Sequence, residues 1–401
     1  MSNSKVKELF TILMGVLLIS SCGQPTPAEL PIATSVSTSQ SAATLPTTDV
    51  SPIPPAEQVS PTPTDSPFEL PGGRLLFTAY PKSGGTGITD SDFQFLWLGL
   101  HARTVQTHPY LIGEYPVLDF AVTVSPDLSH LVFEHRVYSQ SSTDSFPQIS
   151  ASVHLASPDG EAIQIGPTLS NDFITDNFRT GTTISWSANS QVFAFAQTSN
   201  WLSFDKEKYL YMYDVPLGKF NTLTIQTAQP NAFELSPDGT QVAFTDLGAS
   251  PGLSLINADE SNQRVIVEGW VSSNLAWHPD GKRIFFVRDE PVIAIYSVDV
   301  SSGAITPITP RNQNLDSLRL SPDGSLLTYY ENGLFVVSAD GGEPLQLAGA
   351  GVRQWVWSPD SQYIAYVTPA KEIYVMDAQG HGKVDVYYDE QMLPGLIGWL
   401  P

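Results

Sequence analysis

A seven-bladed β-propeller, all-β and built from four-stranded antiparallel blades, is the fold that this 401-residue sequence predicts. Three observations carry that expectation. A turn phrase recurs as Ser125-Pro126-Asp127-Leu128, Ser187-Ala188-Asn189-Ser190, Ser236-Pro237-Asp238-Gly239, His278-Pro279-Asp280-Gly281, Ser321-Pro322-Asp323-Gly324 and Ser358-Pro359-Asp360-Ser361. Its copies start 62, 49, 42, 43 and 37 positions apart, the spacing of propeller repeats. Between copies lie short runs rich in β-branched and aromatic residues, bounded by turn residues.

One unit shows the grammar. Leu315 to Leu320 reads as a first strand, and Ser321-Pro322-Asp323-Gly324 as the turn after it. Pro presets φ at the first central position, Asp suits the second, and Gly supplies the positive φ that re-enters the hairpin. Ser325 to Tyr330 is a second strand and Gly333 to Ser338 a third. The turn Ala339-Asp340-Gly341-Gly342 then leads to a fourth, Pro344 to Leu347. Ser157-Pro158-Asp159-Gly160 follows a third strand, so it matches this second turn and is not another copy of the first. The residue before each motif is apolar: Val124, Trp186, Leu235, Trp277, Leu320 and Trp357. The predicted role of this column is packing between blades, not a ligand cage.

The segments Phe233 to Phe244 and Trp357-Ser358-Pro359-Asp360 resemble the TolB-like, WD-repeat-like β-propeller family, whose repeats read Trp-Ser-Pro-Asp-Gly before a strand. The resemblance spans 73–401 and implies fold rather than chemistry, because its motif is a turn. The sequence finishes Gly398-Trp399-Leu400-Pro401, with Trp and Pro spaced as in a seventh copy. The matching strands, Gly73 to Ala79 and Phe95 to Leu100, stand at the front. The expectation is therefore a split first blade completed by the C-terminal strand, which removes an exposed sheet edge. The 329 residues of 73–401 give 47 per blade. A six-bladed ring is the alternative if 73–118 forms something else.

Residues 1–21 read as a secretion signal. Lys5 and Lys7 precede an 11-residue apolar core, Leu9 to Ile19, which is shorter than a membrane span. Ser20-Ser21-Cys22 after it resembles a bacterial lipoprotein cleavage box, and Cys22 is the single Cys of the sequence. The predicted modification is cleavage before Cys22 and lipid attachment to it, which anchors the protein outside the cytoplasm at the bacterial cell envelope. A lone thiol also excludes an internal disulfide and a Cys-cluster metal site. Residues 22–72, rich in Pro, Ser and Thr, read as a disordered tether. Its reach is roughly 150 Å extended and about 40 Å as a coil.

The sequence has 41 acidic and 19 basic residues, a net charge of −22. Loss of Lys5, Lys7 and Glu8 with the signal leaves −23. That balance speaks against nucleic acid as a partner. The seven His residues show no metal-ligand spacing, and no cofactor or metal is expected. His278 takes the Ser position of one turn, so a turn role is expected for it. Thr89-Asp90-Ser91-Asp92 lacks the Gly and distal Glu of a calcium loop. Gly248-Ala249-Ser250-Pro251-Gly252 matches the nucleophile elbow of hydrolases, but Pro251 has no N–H to offer an oxyanion, and the segment joins two strands. No catalytic residue is assigned, and an enzyme is not expected.

Both short turns of each blade fall on one face of the ring, and the remaining links on the other. The long links, 80–93, 136–152 and 197–208 with connectors 105–118 and 166–182, all belong to the first three blades. Long loops on a rigid scaffold are where recognition concentrates. Their aromatic and Arg residues, Tyr110, Tyr115, Phe173, Phe178, Arg179, Trp201 and Phe204, are the predicted contacts for a protein or extracellular ligand. The leading expectation is thus a lipid-anchored, extracytoplasmic binding scaffold. The alternatives are a glycan- or peptide-processing enzyme at the loop-rich face and an envelope-assembly or sensory subunit.

Overall fold

The four residues Ile284-Phe285-Phe286-Val287 are all buried, with no polar break. An antiparallel strand with one wet face alternates, so such a run implies burial on both faces. The computed structural model shows why. It describes residues 68–81, 94–107, 122–139, 148–157, 162–170, 184–196, 207–227, 230–248, 250–288, 292–310, 315–352 and 354–401. These residues lie in the compact unit Thr64–Pro401 and form seven four-stranded antiparallel sheets.

Blade 2 runs from the axis outward as β4 (Val122–Val124), β5 (Leu131–Ser139), β6 (Gln148–Ala156) and β7 (Ile163–Ser170). Blade 3 is β8 (Ile184–Trp186), β9 (Val192–Ala196), β10 (Glu207–Asp214) and β11 (Lys219–Gln226). Blade 4 comprises β12 (Pro230–Leu235), β13 (Gln241–Asp246), β14 (Gly252–Asn257) and β15 (Arg264–Glu268). Blade 5 follows with β16 (Val271–Trp277), β17 (Arg283–Arg288), β18 (Ala294–Asp299) and β19 (Ile305–Pro307). In blade 6 the strands are β20 (Asp316–Leu320), β21 (Leu326–Tyr330), β22 (Leu334–Ser338) and β23 (Leu345–Ala348). Blade 7 holds β24 (Gln354–Trp357), β25 (Tyr363–Val367), β26 (Ile373–Asp377) and β27 (Val384–Tyr387). Blade 1 is split as expected: β28 (Met392–Leu400) is its inner strand, followed by β1 (Arg74–Pro81), β2 (Gln94–Gly99) and β3 (Thr104–Thr107). The six-bladed alternative is thereby excluded.

The core is divided among seven wedges, each shared by two neighbouring blades. On β17, Ile284 and Phe286 face blade 4, while Phe285 and Val287 face blade 6. On β25, Ile364 and Tyr366 face blade 6, while Ala365 and Val367 face blade 1. The wedge between blades 7 and 1 closes the ring, and Trp399 of β28 packs in it beside Tyr363. Trp399 pairs with Leu75 and Leu400 with Arg74. Gly73 lies against this seam at φ +102°, and a Cβ there would run into the Leu400 carbonyl. Phe68 and Leu70, ahead of Gly73, also pack on this wedge, Phe68 edge-on to Tyr363.

The recurring turn is a side-chain knot. The Ser236 hydroxyl donates to Asp238 Oδ1 at 2.7 Å and accepts the Gln241 amide at 2.9 Å. The Thr240 amide donates to the same carboxylate oxygen. Equivalent Ser to Asp bonds of 2.6 Å occur at Ser125, Ser321 and Ser358, and Asn189 replaces Asp at 2.7 Å from Ser187. In the fifth blade His278 Nδ1 meets Asp280 Oδ1 at 2.7 Å, so His takes the place of Ser as expected. Gly239, Gly281 and Gly324 adopt positive φ, and so do the residues that replace Gly elsewhere, Leu128, Ser190 and Ser361. Two of these substitutes repay the strain by joining blades: Ser190 Oγ accepts the Asp127 amide at 2.8 Å and Ser361 Oγ that of Asp323 at 3.0 Å.

The long links expected in the first three blades are shorter than the sequence suggested. β5 and β6 stay paired out to Ser139 opposite Gln148, so most of 136–152 is ladder and not loop. Residues 80–81, 105–107, 166–170 and 207–208 are likewise strand. Ladder bonds come from the backbone, and polar side chains do not end a hairpin that remains in register.

Gly281 has open space where a Cβ would stand, whereas at Gly324 a Cβ would lie 2.6 Å from His278 Nε2 and 2.9 Å from Pro279. Gly281→Ala is expected to cost about 1 kcal/mol for left-handed strain alone, and Gly324→Ala clearly more, by denaturant unfolding. Deletion of 396–401, or Gly73→Ala, is expected to lower the thermal midpoint strongly; an unchanged midpoint would refute closure by β28. Partial burial alone would raise the Asp323 carboxyl, but bonds from Ser321, Ser325 and Ser361 hold it below its ordinary value. A depressed carboxylate pKa adds stability above the unfolded pKa near 4 and loses it as pH falls through the folded value. Asp323→Asn keeps an acceptor, as Asn189 does, so it should leave stability at pH 7 nearly unchanged and flatten its decline below about pH 4.

Candidate functional site

The inner strands β28, β4, β8, β12, β16, β20 and β24 surround the ring axis. Their ends on the short-turn side enclose a cavity of about 810 Å³. That volume lies within the range of ligand-binding clefts. Its apolar wall comes from Trp186, Trp277, Trp357 and Trp399 together with the proline of every Pro-containing recurring turn. The Trp column does pack between blades: Trp277 and Trp357 are each only 8% exposed and belong to inter-blade wedges. Reading it as packing alone is nevertheless too narrow, because the same residues also line the axial cavity.

Hydrogen bonds fix two of these rings, Trp277 and Trp357. Trp277 Nε1 donates to the Glu234 carbonyl at 3.3 Å. Thr328 Oγ1 accepts from both Trp355 at 2.8 Å and Trp357 at 3.1 Å. Trp186 Nε1 is buried without a hydrogen-bond partner, and its ring packs 4.9 Å from Phe193. A rigid aromatic wall of this kind supplies contact area at low entropic cost on binding.

Among the polar residues on the wall are Glu234, Asn274, Ser317 and Arg319. Arg319 projects from β20, and its guanidinium lies 5.5 Å over the Trp355 ring of the next blade. It is accessible from the cavity yet ringed by protein. Desolvation lowers its pKa, and the charge of Glu234, two blades away, opposes that shift. β20 carries a bulge between Asp316 and Leu318, where Ser317 sits at φ +51°. Bulges re-aim the side chains that follow them. The Leu315 to Leu320 run reads as an ordinary apolar strand, so sequence reasoning passed over Arg319; a lone cation in such a run was the available signal.

Around the mouth the turns present Asp127, Asp238, Asp280, Asp323 and Asp360, all exposed. Partial burial pushes the Asp127 and Asp238 carboxyls up, but donors from Ser125, Ser236 and neighbouring amides outweigh it and hold both below the ordinary aspartate value. The mouth is therefore anionic at neutral pH and Arg319 is a cation inside it.

The contacts predicted on the opposite face, Tyr110, Tyr115, Phe173, Phe178, Arg179, Trp201 and Phe204, lie outside the described residues, as do Cys22 and Thr89 to Asp92. That face does show Trp270, 52% exposed, and Tyr388, also 52% exposed, in short connectors of blades 4 and 7. Neither was singled out from the sequence. The Gly248 to Gly252 segment joins β13 to β14, with the Gly248 amide bound by Asp246 Oδ1 at 2.8 Å. Among the described residues no group of three or more His, Cys, Asp or Glu side chains is placed to hold a metal.

No family model matches the chain. An uncharacterized protein of Agrobacterium fabrum is 25% identical over 182 residues, which is 40% of this chain and 61% of that protein's length. A solved chain from Agrobacterium tumefaciens described as TolB shares 16% identity, covering 80% of this chain and 92% of that one, with a TM-score of 0.41. TolB of Acinetobacter baumannii shares 16% identity over 77% of this chain and 79% of its own, with a TM-score of 0.45. The structural neighbours are thus TolB proteins, and the chain itself is a seven-bladed β-propeller.

Proposed function

We propose that this protein is a non-enzymatic binding module, held outside the cytoplasm by lipid on Cys22, which receives part of a partner in the turn-side cavity. The observation that carries this reading is the cavity itself: about 810 Å³, walled by Trp and Pro and rimmed by fixed carboxylates. Its walls are inner strands whose Trp277, Trp357 and Trp399 are packed into the wedges between blades, which suits a preformed site. A rigid apolar recess with a charged rim suits recognition of a segment of another molecule. The signal-like start of the sequence and the Ser20-Ser21-Cys22 box support the location, and the Pro-rich stretch 22–72 supports a tether. The opposite face supplies a second contact patch in this reading, with Trp201 and Phe204 as its anchors.

Ala188 stands at the cavity rim, exposed, in the one recurring turn that lacks Pro. A photo-crosslinking residue at position 188 is expected to trap a partner in cells, while one at Leu345, on the outer strand β23, is expected not to. Ala188→Trp should narrow the mouth and abolish capture, with Ala188→Pro as a folded control that keeps it. Equal crosslinking at both positions would refute a role for the cavity. For the anchor, Cys22→Ser is expected to move the protein from the membrane to the soluble fraction, with loss of the lipid mass by mass spectrometry.

A further inference from the structure

Resting on the binding role just described, we propose that the cavity selects a peptide segment that carries a carboxylate inward to Arg319 and basic residues at the rim. The charge distribution of the site motivates this. Arg319 lines the cavity and is exposed, and it makes no ion pair with any described residue. Its guanidinium carbon lies 5.5 Å from the Trp355 ring centre, a cation–aromatic contact that occupies no N–H donor. Guanidinium and carboxylate match as paired, charge-assisted hydrogen bonds. Glu234 lines the same cavity two blades away and forms no ion pair with Arg319, so the cation is balanced at a distance and not capped.

The rim decides between a peptide and a free organic acid. Asp127, Asp238, Asp280, Asp323 and Asp360 surround the mouth, each one residue beyond a cavity-lining proline. A small free anion must pass this ring of like charge to reach Arg319, and repulsion slows its entry. A peptide with Lys or Arg beside its apolar and acidic residues instead meets opposite charge at both depths. Its apolar side chains lie against the Trp and Pro wall between the two.

The test uses the full-length chain purified in detergent. An array of randomised heptapeptides is probed first. The best-bound sequence is then titrated by calorimetry beside the same peptide with its acidic residue changed to the amide. Bound sequences are expected to combine an acidic residue with an apolar neighbour and basic flanks. The amide form should bind about tenfold more weakly or worse. Arg319→Gln should erase that difference without altering the amide peptide's affinity or the thermal midpoint. Arg319→Lys, which keeps charge but not the planar fork, should retain part of it. Equal affinity of the acidic and amide forms, or a difference that survives Arg319→Gln, overturns the carboxylate assignment and leaves the binding role standing. An array with no bound sequence overturns both. Displacement of the peptide by micromolar 4-phenylbutyrate overturns the choice of a peptide in favour of a free organic acid.

Discussion

Each second strand of this ring lends alternate side chains to two different cores. Val242 and Phe244 of β13 pack toward blade 3, and Ala243 between them packs toward blade 5. A blade taken alone would expose both apolar faces, so it gains its stability only from its neighbours. An open row of such blades would end in two unpaired faces, and the wedge of Leu75, Phe77, Val367 and Trp399 is what removes them. The axial cavity, which all seven inner strands line, follows from closing that wedge.

The turn knots convert this stacking into a defined geometry. Four of them tie the end of an inner strand to the start of the second strand through one Ser hydroxyl and one carboxylate oxygen, as Ser236 and Asp238 show. Because the oxygen that takes these bonds is spent, the carboxylate is held in place at the rim with its charge intact. The knots also communicate around the ring: the Asn189 amide reaches the Pro237 carbonyl at 3.3 Å, and Ser190 and Ser361 bind the turn of the preceding blade. Replacing Gly at these two places costs left-handed strain and returns an inter-blade hydrogen bond.

The architecture was legible in the sequence because its signals are local. The spacing of Ser236, Ser321 and Ser358 counts blades, and Trp399 with Pro401 betrays the split one. The site was far less legible, since it exists only where seven inner strands converge. An apolar residue such as Trp277 or Trp357 at a strand end looks the same whether it fills a wedge or faces the axis, and here it does both. Arg319 sits in a run of strand-forming residues, and its neighbour Trp355 is 36 positions away, so no local pattern joins them. Polar stretches misled in the other direction: Arg136 to Ser139 and Gln148 to Ser152 read as loop, although their backbones remain paired.

The split blade also has a mechanical meaning. The chain enters the ring through β1, which is hydrogen-bonded on one side to β28 and on the other to β2. It does not enter through an outer strand such as β3, which has a single neighbour. A pull on the N-terminal segment along β1 therefore loads two ladders at once in shear. The same pull along an outer strand such as β3 would load only one. Phe68, wedged against Tyr363 before β1 begins, adds a further catch ahead of that ladder. The point at which a tether would tug on this protein is the place where its sheet is best built to resist it.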